Sequence, residues 1–220
     1  MTLHKSRRSY FNMAALLAIF AVGFVGCDSL DSNEVAALEA SSQRDNPRTS
    51  TATMYKFADQ SEVGTSTLQR GADAVKLTID TSELNPGYAY TVWWVVFDEP
   101  AYCTDSNCSS DDVSSAMGGG SNLPGLSIIG AADGSVVSSN GKAYYSGSLR
   151  KDDASLAMFG NGLDNPATAE IHYVIRSHGA AIPGLIEDQI TTFNGGCEAG
   201  QPNEGECTNV QFAIHKAATN

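Results

Sequence analysis

The sequence predicts one all-β domain, a sandwich of short strands, and three observations carry that expectation. The segment Tyr88–Phe97, YAYTVWWVVF, is aromatic, β-branched or small at nearly every position. Short alternating runs recur on its C-terminal side, punctuated by Gly, Asn and Pro. Beyond the N-terminal leader no stretch sustains the apolar period of a long helix.

Taken in order, the chain opens with Lys5, Arg7 and Arg8 before an apolar run of 13 residues, Met13–Val25. A helix needs about 20 apolar residues to span a bilayer, so residues 1–26 are expected to be a secretion signal. Phe24-Val25-Gly26-Cys27 resembles the lipobox of bacterial lipoproteins, with Phe24 where leucine is usual. The resemblance implies cleavage before Cys27, lipid on its sulfur, and an extracytoplasmic protein held to a membrane of the bacterial cell envelope. Of five cysteines, Cys103, Cys108, Cys197 and Cys207 then remain, an even number suited to an oxidising compartment. Residues 27–51, rich in Ser, Ala, Asp, Glu, Asn and Arg, are expected to be a flexible tether, and residues 52–220 the folded domain.

Charge excludes one class of partner. The chain carries 13 basic and 25 acidic residues, a net charge of −12. Loss of the signal removes three basic residues and no acidic one, leaving 10 against 25, or −15. Nucleic acid is not an expected partner, because phosphate backbones are held by clustered Lys and Arg.

Within the domain, Val75, Leu77 and Ile79 alternate with Lys76, Thr78 and Asp80, a strand with one wet face. Pro86 and Gly87 supply a type II turn. In the next strand Tyr88, Tyr90, Val92, Trp94 and Val96 share one face, and Ala89, Thr91, Trp93, Val95 and Phe97 the other. Both faces are apolar, which places this strand in the middle of a covered sheet. Leu84 to Val92 resembles the tyrosine corner of immunoglobulin-like and fibronectin type III domains. That resemblance implies an immunoglobulin-like or Greek-key sandwich in which the Tyr90 hydroxyl bonds back to upstream backbone.

Further strands are expected at 126–129, 135–138, 142–149, 168–177 and 209–216, the last with Val210, Phe212 and Ile214 inward, and a helical turn over 152–158. The triple glycine at 118–120 lacks the Lys-Ser/Thr of a phosphate loop and reads as a connection. Four cysteines allow three pairings, between which sequence alone does not choose. Each of Cys103/Cys108 and Cys197/Cys207 lies in one polar loop, so local closure is expected.

Candidate chemistry is sparse. His172, His178 and His215 are the histidines left after maturation, and a copper or zinc centre would need strands to bring them together. Asp105, Asn107, Asp111 and Asp112 offer oxygens for calcium in a spacing that is not an EF-hand. Arg176-Ser177-His178 with Glu187 or Asp188 contains the residue types of a hydrolytic triad without a Gly-x-Ser-x-Gly elbow. Trp93 and Trp94 could stack on a sugar but, as neighbours on opposite faces, are expected in the core. No catalytic residue and no cofactor are therefore assigned.

The segments Asn85–Trp94, Ala169–Gly179, Gln189–Cys197 and Val210–His215 together resemble a family of uncharacterised secreted bacterial proteins. The resemblance implies one β-rich secreted domain and no activity. The histidine-bearing strand also resembles those of copper-zinc superoxide dismutase and chordin-type domains, although their dense histidine motifs are absent and Tyr88 follows Pro86-Gly87 where a histidine would stand. The function expected is non-catalytic binding or scaffolding of a protein or small-molecule ligand, with a histidine-centred metal site and a hydrolase as alternatives.

Overall fold

The computed structural model describes residues 48–104, 108–117 and 125–218. The signal, Cys27, nearly all of the expected tether, Asp105, Asn107 and the triple glycine lie outside the described residues. Among these residues nine antiparallel strands form one curled sheet. Along the chain they are β1 (Arg48–Lys56), β2 (Glu62–Arg70), β3 (Ala74–Thr81), β4 (Tyr88–Phe97), β5 (Leu126–Val136), β6 (Ala143–Arg150), β7 (Ala157–Gly160), β8 (Glu170–Ala180) and β9 (Thr208–His215). A short 3-10 turn (Pro100–Tyr102) and helix α1 (Ser110–Met117) follow β4, and α2 (Ile186–Thr191) follows β8. Among the described residues no helix is long and apolar enough to cross a membrane.

The lateral order is β6-β3-β2-β1-β9-β8-β4-β5-β7. The sheet curls until β6 meets β5, where the Ser146 N–H donates to the Asp133 carboxylate at 2.8 Å. The two layers of the all-β fold are thus opposite sides of one sheet. The apolar interior lies between them, and Leu68, Leu77, Ile79, Trp94, Tyr145, Ile171 and Tyr173 are fully buried there.

Strand β4 lies between β8 and β5 and has the two apolar faces its alternation predicts. Tyr90, Val92, Trp94 and Val96 point into the barrel. Trp93, Val95 and Phe97 join a second cluster outside it, with Leu126, Ile129 and the Cys103–Cys108 loop. The turn into β4 closes with Tyr88 N–H donating to Asn85 O at 3.2 Å. Gly87 sits at φ 77°, a conformation a side chain would strain. The Tyr90 hydroxyl accepts from the Asn85 N–H at 2.9 Å, tying the turn to the strand.

Several elements depart from expectation. Strand β1 starts at Arg48, within the segment expected to be tether, because its alternating Thr and Ser side chains find strand partners in β2. Residues 126–136 form one strand where two short ones are expected, since β5 pairs with β4 along nearly its whole length. Gly134 is kept free of a Cβ by the Ile190 carbonyl of α2, which such an atom would overlap. The helical turn expected over 152–158 is replaced from Ala157 by β7, which completes the open edge of β5. In β9 the inward face is Gln211, Ala213 and His215, while Phe212 and Ile214 look outward. Polar groups can occupy the interior there because Gln211 exchanges hydrogen bonds with Thr81 and Ser82, and His215 with two serines.

Candidate functional site

Outside the barrel, the face formed by β5, β4, β8 and β9 would be bare were it not for the two cysteine loops. Cys103–Cys108 and Cys197–Cys207 are both bonded, with Cα separations of 4.9 and 5.8 Å. The first loop is braced by Asp112. Its Oδ1 accepts from Thr104 N–H, and its Oδ2 from Ser109 N–H, each at 2.8 Å, while the Ser109 hydroxyl adds a bond at 3.0 Å. Burial pushes the Asp112 carboxyl up, but these donors outweigh it and the net direction is down. Of the four side chains considered for calcium, Asp112 is thus turned inward as a loop brace, and Asp111 is exposed.

The second loop is held by His178, Gln189 and Asn203, all buried. Asn203 donates to the carbonyls of His178 and Ala180 at 2.7 Å, and Gln189 donates to the same two at 3.2 and 3.0 Å. The side chain of His178 lies in a relay whose polarity is dictated at one end. Trp93 Nε1–H is only a donor and reaches Thr91 Oγ1 at 2.7 Å. The Thr91 hydroxyl can therefore donate to His178 Nε2 at 2.8 Å, which leaves the ring proton on Nδ1, facing Gly195 O at 3.0 Å. Burial pushes this imidazole down, the Gly195 carbonyl opposing and the Arg176 charge assisting, so the neutral form is favoured.

Beside the first loop runs a groove of about 420 Å³. Trp93, Val95, Ile129, Val174, Phe193 and Phe212 supply apolar walls, with Phe57 and Met158 at exposed positions. Phe193 meets Trp93 edge-on, with centroids 5.3 Å apart. Arg176 stacks over the Phe193 ring at 4.0 Å and donates to Phe193 O at 2.8 Å. The wall is therefore pinned before any ligand arrives.

The ionisable pair of the groove is His172 with Glu170. His172 lines the groove, and its Nε2 lies 2.7 Å from Glu170 Oε1. The Lys216 ammonium donates to that same oxygen at 3.0 Å. Burial pushes the Glu170 carboxyl up, yet the bonds from His172 and Lys216 prevail and it is held down, ionised at neutral pH. With Nε2 directed at a carboxylate, the His172 proton is fixed there, and Nδ1 has no hydrogen-bond partner among the described residues.

The three histidines do not converge. His172 lies opposite Ile214, whereas His215 lies opposite Ile171, one residue out of step and so on the inner face of the same strand pair. Both His215 nitrogens are engaged, Nδ1 with Ser50 at 2.8 Å and Nε2 with Ser66 at 3.0 Å. His178 lies within reach of Cys197 and Cys207, but bonded sulfurs are not thiolates and do not ligate a metal as thiolates do. The hydrolytic set is dispersed likewise. Ser177 alternates to the opposite side of β8 from His178, whose nitrogens are already committed.

Sequence reasoning did not find the groove. Its walls come from β4, β5, β7, β8, β9, α1, the loop after α2 and the turn after β1, and only the unusual apolarity of the outer face of β4 hinted at it. No family model matches this chain, and no curated protein matches it. Among solved structures, a double mutant of a SOD-like protein from Bacillus subtilis is similar at 14% identity and a TM-score of 0.31, over 76% of this chain and 96% of that one. That degree of likeness carries no functional argument.

Proposed function

We propose that this chain is a lipid-anchored, extracytoplasmic binding protein of the bacterial envelope, and that its β domain takes a small, largely apolar ligand in the groove beside the Cys103–Cys108 loop. The observation that carries this is the groove itself. It is a concavity within the size range of small-molecule sites, walled by pinned aromatic rings, with His172, Asn209 and three serines among its lining. Apolar surface of this extent beside few convergent polar groups suits binding. Among the described residues Ser177 and His178 lie on opposite sides of β8, which does not suit a hydrolytic pair.

The test uses the chain from Asp28 onward, which keeps every described strand, and Nile red as a neutral apolar probe. Saturable one-to-one fluorescence enhancement is expected, lost in Val174→Asp and kept in Tyr144→Asp, whose side chain is exposed elsewhere. Equal probe binding by both variants would sink the proposal.

A further inference from the structure

A second hollow, of about 500 Å³, opens where β1 begins and β9 ends; Arg48, Arg70, Lys216 and His215 line it, with residues 49–51 and the apolar Ile214, Ala217 and Ala218. Arg48 and Arg70 are direct cross-strand partners in the β1–β2 ladder. Like charges placed so are destabilising unless something lies between them. Arg70 is only 4% exposed. No carboxylate among the described residues lies within ion-pair distance of either arginine.

Arg70 does have a structural task, donating to Pro166 O at 3.1 Å and Lys216 O at 3.2 Å. Two carbonyl dipoles satisfy two of the five N–H groups of a guanidinium and leave its full charge in place. They also give no reason for Arg48 to stand opposite. Lys216 adds a third cation, and the acid it meets, Glu170, is shared with His172. A chain with 25 acidic and 13 basic residues has ample carboxylate with which to neutralise two arginines, yet the described residues place none in an ion pair with either.

We propose that this hollow is an oxyanion site, and that it takes the phosphate group of a small molecule between Arg48 and Arg70. The guanidinium fork matches phosphate oxygens in pairs, which an ammonium does not. The volume leaves room for more than the phosphate itself, so an ester is the class expected. The phosphate could be that of a soluble monoester or of a phospholipid headgroup, and the chemistry is common to both.

The full chain in non-ionic detergent, at fixed salt, is titrated calorimetrically with inorganic phosphate, glycerol 3-phosphate and glycerophosphoglycerol, the water-soluble headgroup diester. Saturable one-to-one binding of at least one is expected, weakened about tenfold or more in Arg48→Gln, with an unchanged melting temperature. Preference for the monoester assigns a soluble ligand, and preference for the diester assigns a headgroup. Either result supports the site. Arg70→Gln should abolish binding, and if that buried substitution unfolds the chain, the exposed Arg48→Gln decides alone. No binding of any of the three, or wild-type affinity in Arg48→Gln, overturns the proposal.

Discussion

Acid should destabilise this fold through one imidazole. His215 is 2% exposed inside the barrel, hydrogen-bonded through both nitrogens to Ser50 and Ser66, and packed edge-on against Tyr173 at 5.6 Å. A neutral ring satisfies two hydroxyls by donating to one and accepting from the other. A charged ring would sit buried and without a carboxylate among its hydrogen-bond partners. Burial, assisted by the Arg70 charge, pushes its pKa from 6.5 down to about 4. In the unfolded chain the ring takes its proton near 6.5, and in the folded protein only near 4. Between those values the unfolded state holds more protons, so stability falls as pH falls. The contribution is whole above pH 6.5 and fully lost below pH 4. The gap corresponds to about 3 kcal/mol by pH 4. The assay is urea unfolding at intervals from pH 7.5 to 4, comparing wild type with His215→Gln. The variant is less stable at neutral pH but lacks the His215 share of the acid loss, so the two stability curves should converge by about 3 kcal/mol. His178 and Glu170 lose stability in the same direction but are present in both proteins. Parallel curves would refute the reasoning, because they would mean that the ring is protonated equally in both states or not at all.

Removing the hydroxyl in Tyr90→Phe strips the acceptor from the Asn85 N–H and should cost about 1 kcal/mol in urea unfolding. An unshifted midpoint would show that the bond contributes nothing. Thr91→Val breaks the relay in the middle, leaving Trp93 Nε1–H and His178 Nε2 both without their partner. It should cost about 2 kcal/mol and alter the Trp93 emission spectrum, whereas an unchanged spectrum would place the relay elsewhere. Cys27→Ser should move the protein out of the membrane fraction and abolish incorporation of a fatty-acid analogue. Labelling that survives the substitution would reject the lipid anchor.

The sequence by itself determined what is local. Strand β4 was legible to the residue because alternation has a period of two, and both of its faces are apolar. The turn at Pro86-Gly87 was legible because proline and glycine favour different torsions, and the cysteine loops because each pair is close in the chain. What depends on partners distant in sequence was not legible. The inward face of β9 carries Gln211 and His215, which an apolar pattern assigns to solvent, and only Thr81, Ser50 and Ser66, brought there by other strands, make their burial tolerable. The same register put His172 outside and His215 inside, separating residues that a list of histidines groups together. The groove and the paired arginines belong to the tertiary structure for one reason. Phe57, Trp93, Phe193 and Phe212, like Arg48 and Arg70, become neighbours only through strand pairing and sheet curvature, and a site's chemistry is set by distances through space that chain separation does not encode.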